Sequence, residues 1–296
     1  MPFAHHGSVD IYYETFGIPD APALLLVNGL GSQCINFSTE WCERFAARGF
    51  FAIRFDNRDV GLSTKFDHVK AHMGAVIAAL SEGRQPDVPY RVSDMAGDAV
   101  AVLDDLGLAR AHVMGVSMGG MIVQQLAIEH ADRLLSVTSV MSSTGDRDVG
   151  QSSPEAFAIL TGPPATDRES AIARHLAGIR TFGSPAHYDE MRHTQMAGDA
   201  FDRCFNPAGV ARQMVAVVAS GPRSEALRSV KVPALVLHGD ADTLVDISGG
   251  RRTAECIPGA RFEVLEGMGH DYPPAYWDRW VELVAGHAGV GVTESA

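Results

Sequence analysis

Five consecutive apolar residues, Ala23-Leu24-Leu25-Leu26-Val27, admit few structural roles in a water-soluble chain. The run is too short to cross a bilayer and has no polar alternation, so it suits a strand covered on both faces. Comparable runs recur at 50–55, 112–116, 136–141, 234–238 and 261–265, with helix-like stretches between them. That alternation predicts an α/β fold: a mostly parallel sheet with helices on both faces. Residues 2–6 and 9–16, joined at Gly7-Ser8, read as an opening hairpin, which brings the expected strands to eight. One helix is expected to be capped by Ser93 and Asp94 and stopped by Gly107, burying Met95, Ala99, Val102, Leu103 and Leu106.

Two stretches break the rhythm. Residues 65–92 form a long insert that ends near Pro86 and Pro89. Residues 142–229 separate two strands by far more than an ordinary connection. Their pattern is helical at 169–181, 188–200 and 207–219, with breaks at Gly162-Pro163-Pro164 and Gly221-Pro222. We therefore expect a helical cap at 142–229 inserted into one core made of 1–141 and 230–286. The small, polar end from Gly286 is expected to fray, leaving 287–296 as a flexible tail.

Composition narrows the function classes. With 24 basic against 36 acidic side chains, the net charge is −12. Binding to nucleic acid or to an anionic membrane needs a basic face that this balance disfavours. The 4 cysteines show neither CxxC nor Cys/His spacing, so no metal site or disulfide framework is signalled. No basic start followed by an apolar stretch opens the chain, and no apolar run reaches bilayer length. A cytoplasmic protein needing no cofactor, with no stable membrane association, is the expectation.

The chemistry centres on Gly115-Val116-Ser117-Met118-Gly119-Gly120, placed between a strand and a helix. A serine on so sharp a turn exposes its hydroxyl, and small neighbours let the chain pass close by. The hydroxyl needs a base. Among 12 histidines, His270 in Glu266-Gly267-Met268-Gly269-His270 follows a strand and lies after the serine. His112 and His130 read as structural, His5 and His6 lie in the first strand, and His175, His187 and His193 fall in the cap, where they could touch substrate but suit a solvated surface better. The acid that orients the imidazole is expected at Asp242, in the loop after the 234–238 strand. Asp240 and Asp246 are local rivals better suited to turns, and Asp146 is a more distant one. Two N–H donors must face the oxyanion of an acyl-transfer intermediate. Met118, at the helix start, supplies one; Leu30, in Asn28-Gly29-Leu30-Gly31, is expected to supply the other.

With these motifs in the order serine, aspartate, histidine, the chain resembles the α/β-hydrolase superfamily over nearly its whole length. Asp56-Asn57-Arg58-Asp59-Val60-Gly61-Leu62-Ser63 looks like that family's loop after the fourth strand, with Arg58 and Asp59 holding loops near the site. More narrowly, this stretch, Arg212-Gln213-Met214 through Ala219-Ser220-Gly221, and Gly267 to Asp271 are similar to bacterial carboxylesterases of the aclacinomycin methylesterase and mycobacterial lipase/esterase type. One departure is Asn28-Gly29, where the family commonly has His-Gly. Serine at the elbow also disfavours the haloalkane dehalogenases and epoxide hydrolases, which resemble this pattern but carry aspartate there.

The expected activity is hydrolysis of a neutral, apolar small-molecule carboxylic ester through an acyl-enzyme. Gly29, Met268, Phe182 and Phe205 are the expected substrate contacts. A lactonase, thioesterase or carbon–carbon bond hydrolase would use the same three residues, as would a cofactor-free perhydrolase. A ligand-binding receptor with vestigial activity is the alternative of a different class, and the intact trio disfavours it.

Overall fold

The computed structural model describes residues 2–291. Eight strands form one sheet: β1 (Phe3–His6), β2 (Val9–Phe16), β3 (Ala23–Val27), β4 (Phe51–Phe55), β5 (Ala111–Val116), β6 (Leu134–Val140), β7 (Ala234–Gly239) and β8 (Arg261–Leu265). Their spatial order is β1-β2-β4-β3-β5-β6-β7-β8. β1–β2 and β2–β4 pair antiparallel, and every later pair is parallel. The expected mostly parallel sheet of eight strands is therefore what forms.

The apolar run Ala23–Val27 divides its side chains between the two faces, as the two-residue period of a strand requires. Leu25 and Val27 join one buried cluster with α3 (Val92–Asp105) and α4 (Met118–Glu129), while Leu24 and Leu26 join another on the opposite face. That second cluster holds Trp41 of α1 (Thr39–Ala47) and Trp277 and Trp280 of α11 (Pro274–Ala288). The rings of Trp41 and Trp277 stack with centroids 5.7 Å apart. Truncating one such buried ring to alanine costs about 3–5 kcal/mol.

The insert at 65–92 carries one helix, α2 (Met73–Ser81). Between β6 and β7 come α5 (Pro154–Thr161), α6 (Arg168–Phe182), α7 (Glu190–Arg203), α8 (Pro207–Ser220) and the short α9 (Ser224–Leu227). Helix α10 (Ser248–Cys256) then lies between β7 and β8. α8 is tied to the core: Ala216 sits in the first buried cluster, and Val215 packs with Val76 of α2.

Two local expectations are corrected. α3 begins at Val92, with Arg91 rather than Ser93 or Asp94 as its cap. Asp94 lies one turn inside, accepting the Arg91 N–H at 2.7 Å, while Ser220 Oγ of α8 accepts the Val92 N–H at 3.0 Å. A partner distant in sequence thus satisfies a donor that a local side chain was expected to take. At the other end, α11 runs past Gly286 to Ala288, and Gly289 closes it at φ 69°. The Val290 N–H then donates to the Ala285 carbonyl at 3.0 Å, and its side chain is buried in the second cluster. The expected fraying at 286–290 is absent because this left-handed cap holds the chain against the core; residues 292–296 lie outside the described residues.

Candidate active site

Strand order reverses around β3: β4 lies on one side of it and β5 on the other. Open α/β sheets leave a crevice at the carboxyl ends of such strands. The loop after β3 carries Asn28 to Gly31, and the turn after β5 carries Ser117.

Ser117 adopts φ 56°, ψ −120°, one of three non-glycine residues with positive φ among those described. Such a conformation costs of order 1–3 kcal/mol and persists only where its surroundings hold it. Here the Ser117 N–H donates to the Val140 carbonyl of β6 at 2.9 Å. The flanking glycines are required by close approach. A Cβ on Gly115 would lie 2.1 Å from the Gly119 carbonyl oxygen, and one on Gly119 would lie 2.1 Å from that of Val27.

His270 Nε2 lies 3.0 Å from Ser117 Oγ, and its Nδ1 lies 2.7 Å from Asp242 Oδ2. Asp242 Oδ1 accepts the N–H groups of Leu244 (2.9 Å) and Val245 (2.8 Å). Burial pushes the Asp242 carboxyl up, but the charges and hydrogen bonds of His270 and His238 outweigh it and hold the group at about 2. It is therefore ionised throughout the neutral range. Asp240 accepts the Gly267 N–H, Asp246 the Ser248 N–H, and Asp146 pairs with Arg252, so none of the rivals faces His270.

The remaining expected residues divide. As the first residue of α4, Met118 has no intrahelical acceptor for its N–H. The Leu30 N–H has no acceptor among the described residues, whereas the next N–H, of Gly31, is taken by Gln213 Oε1 at 2.8 Å. Gly29 sits against Ser117; a Cβ there would lie 3.1 Å from that of the serine. Phe182 and Phe205 line a cavity of about 680 Å³ together with Leu30, Ile179, Phe201 and Met214. The Phe182 ring stands edge-on to the His270 imidazole, centroids 6.2 Å apart, which sets one end of the cavity beside the Ser117–His270 pair. Met268 is a correction: it is fully buried in the second cluster rather than on the cavity wall, because its side chain joins the sheet's core instead of the crevice. The solvated surface expected of His175 and His193 is corrected too. His193 is buried, and His175 lines the cavity with its Nε2 3.2 Å from His193 Nδ1. His112 is structural as expected, paired with Ser136 Oγ at 2.8 Å.

Several residues that hold the site escaped sequence reasoning. Gln213 of α8 also donates to the Arg58 carbonyl at 2.8 Å, so one amide ties the loop after β3 to the loop after β4. Arg58 and Asp59 do hold loops: Arg58 pairs with Asp98 of α3 at 2.6 Å, and Asp59 with Arg212 of α8 at 2.7 Å. Buried His238 lies 3.5 Å from Asp242 Oδ2 while its Nε2 contacts the Val245 carbonyl at 2.8 Å. The end of α6 grips the histidine loop directly. The His270 N–H donates to the Phe182 carbonyl (2.5 Å), the Gly269 N–H to Ser184 Oγ (3.0 Å), and Ser184 Oγ to Asp271 Oδ1 (2.5 Å). The only sequence signal for these contacts is the presence of Arg212-Gln213 and Asp271 within stretches that match the carboxylesterase pattern.

Comparison with known proteins agrees with this geometry. Residues 22–272 match the family model described as alpha/beta hydrolase fold. The chain is 28% identical to rhodomycin D methylesterase DauP of Streptomyces sp. (strain C5), covering 94% of this chain and 95% of that protein. It is 27% identical to an Acinetobacter baylyi protein named 3-oxoadipate enol-lactonase 2, covering 87% and 85%. Among solved structures, the enol-lactonase from Burkholderia xenovorans LB400 superimposes with a TM-score of 0.73 at 24% identity, over 97% of this chain and all of that one. A sheet with this strand order, an elbow serine backed by histidine and aspartate, and a family match spanning both lead to one assignment: the chain belongs to the α/β hydrolase fold family.

Proposed function

We propose that this protein is a serine esterase that cleaves neutral, apolar carboxylic esters through an acyl-enzyme. The observation that carries the reading is the continuous line from Ser117 Oγ to His270 (3.0 Å) to Asp242 (2.7 Å) at the end of an apolar cavity. Ser117 Oγ attacks the ester carbonyl as His270 Nε2 takes its proton. Ionised Asp242 holds the ring's other N–H and stabilises the imidazolium that forms. The N–H groups of Leu30 and Met118 receive the oxyanion. His270 then protonates the departing alkoxide, activates water at the acyl-enzyme, and returns the proton to Ser117 as the acid leaves.

In this reading α5 to α8 act as a cap over the crevice, and the residues they supply to the cavity wall select the ester. Phe182, Phe201 and Phe205 make that wall apolar, and the charge of −12 repels polyanions at long range. The likeness to proteins named as a methylesterase and an enol-lactonase supports acyl–oxygen cleavage, with the leaving oxygen free in one case and tethered in the other. A panel of p-nitrophenyl esters of graded acyl length, with methyl esters, lactones and thioesters beside them, tests the reading. We expect turnover of oxygen esters. Failure to cleave any of them would overturn it.

A further inference from the structure

The cavity wall holds few polar side chains, and almost all are already engaged. Gln33 donates to the carbonyls of Ala200 and Cys204 and accepts from Arg203. Thr161 donates to the Phe157 carbonyl, and Arg174 to those of Pro163 and Leu160. Asn206 donates to the Asp59 carbonyl and accepts the Gly209 N–H. His175 differs. Its Nε2 meets His193 Nδ1 at 3.2 Å, but its Nδ1 has no partner among the described residues and is not sealed in protein. Apart from the Arg174 Nε–H and the weakly bonding Cys204 thiol, His175 Nδ1 is the one polar side-chain atom of the lining without a partner among the described residues.

The placement of His175 is as specific as its chemistry. His175, Gly178, Ile179 and Phe182 all line the cavity at positions i, i+3, i+4 and i+7, so a single face of α6 forms this wall. Seven residues of helix separate His175 from Phe182, or about 10 Å along the axis. Since Phe182 stands against His270, the helix acts as a ruler from the reacting end to His175. Burial, then the neighbouring His193, pushes the His175 imidazole down to about 4, so it is neutral at physiological pH. The pair shares one proton between Nε2 and Nδ1. When His175 Nε2 accepts it, Nδ1–H is a donor; when Nε2 donates, Nδ1 is an acceptor.

We propose that His175 is a specificity-determining contact, and that the preferred ester is apolar apart from one hydroxyl or carbonyl group about 10 Å from the scissile bond that bonds to His175 Nδ1. This proposal rests on the esterase reading above and names the substrate class it leaves open. An ester lacking that group leaves the imidazole nitrogen desolvated and unpaired, which is how a buried polar atom discriminates between isosteres.

The test compares isosteric pairs in which a terminal hydroxyl replaces a methyl. On the acyl side, p-nitrophenyl ω-hydroxydecanoate is set against p-nitrophenyl undecanoate, with shorter homologous pairs. On the alcohol side, the monoacetate of decane-α,ω-diol is set against undecyl acetate. The readout is the ratio of kcat/KM within each pair, in the wild type and in the His175→Phe and His175→Gln variants. We expect the wild type to favour the hydroxylated ester on one of the two sides by roughly tenfold, only in chains long enough to reach His175. The preference should vanish in His175→Phe and persist at least in part in His175→Gln. A wild-type ratio near one on both sides, or a ratio unchanged in His175→Phe, would overturn the proposal. The wild-type ratios stand even if His175→Phe does not fold. If p-nitrophenyl acetate is cleaved but the ratios are flat, this inference alone fails. If no ester of any kind is cleaved, the esterase reading itself fails.

Discussion

Ser117 and His270 could be read from the chain because their chemistry restricts what surrounds them. A serine held at φ 56° needs glycines at fixed offsets, and a histidine delivered by a loop after a strand stands apart from one within a strand such as His112. Asp242 was distinguishable from Asp240 and Asp246 only by its place in the loop. The structure adds that its two oxygens are both used, Oδ2 for His270 and Oδ1 for two backbone N–H groups. Replacement of Asp242 by asparagine should preserve the shape of the loop but orient the wrong imidazole tautomer. We expect kcat to fall by about 10⁴-fold with little change in the thermal midpoint. A loss of less than tenfold in ester assays would show that the carboxylate does not serve His270. Gln213, Ser184 and His238 could not be identified in this way, since their work depends on which loops meet across the fold.

Among the elements, strands were easier to read than helix ends. An apolar run buried on both faces carries its own signal, and β3 forms over the residues expected, as does the partly exposed edge strand β8. Helix starts depend on distant partners, as Ser220 at the start of α3 shows. The long connection between β6 and β7 was legible as helical, but not as the support of the histidine loop. Ser184, just beyond α6, both accepts the Gly269 N–H and donates to Asp271. Burial pushes the Asp271 carboxyl up, against the hydrogen bonds from Ser184 that pull it down. In a Ser184→Ala variant the buried Gly269 N–H loses its acceptor, at a cost of about 1–3 kcal/mol. We expect a lower melting temperature and a kcat reduced more than KM is raised, because His270 is less firmly placed. Lower stability with unchanged kcat would mean that the loop holds His270 without α6.

For the molecule as a whole, the net charge and the two-sided burial of the sheet set its response to acid. His112 is pushed down to about 4 by burial, aided by His287, and His175 to about 4 by burial and His193. Both lie below their ordinary 6.5, so between about 6.5 and 4 the unfolded chain binds protons that the folded chain refuses. Stability should therefore fall as pH drops through that window, by about 1.4 kcal/mol per pH unit for each histidine. His6, raised by its bond to Asp98, acts in the opposite sense. Urea unfolding at pH 7 and pH 5 should show the loss, and a His112→Gln variant should show less of it; equal stability at both pH values would refute the linkage. The central claim is that Ser117 is the nucleophile of an esterase. A fluorophosphonate followed by peptide mass spectrometry tests it most directly. One label per chain on Ser117, accumulating in step with the loss of ester turnover and absent from Ser117→Ala, is the predicted result. A labelled Ser117 with turnover intact, or turnover retained in Ser117→Ala, would contradict it.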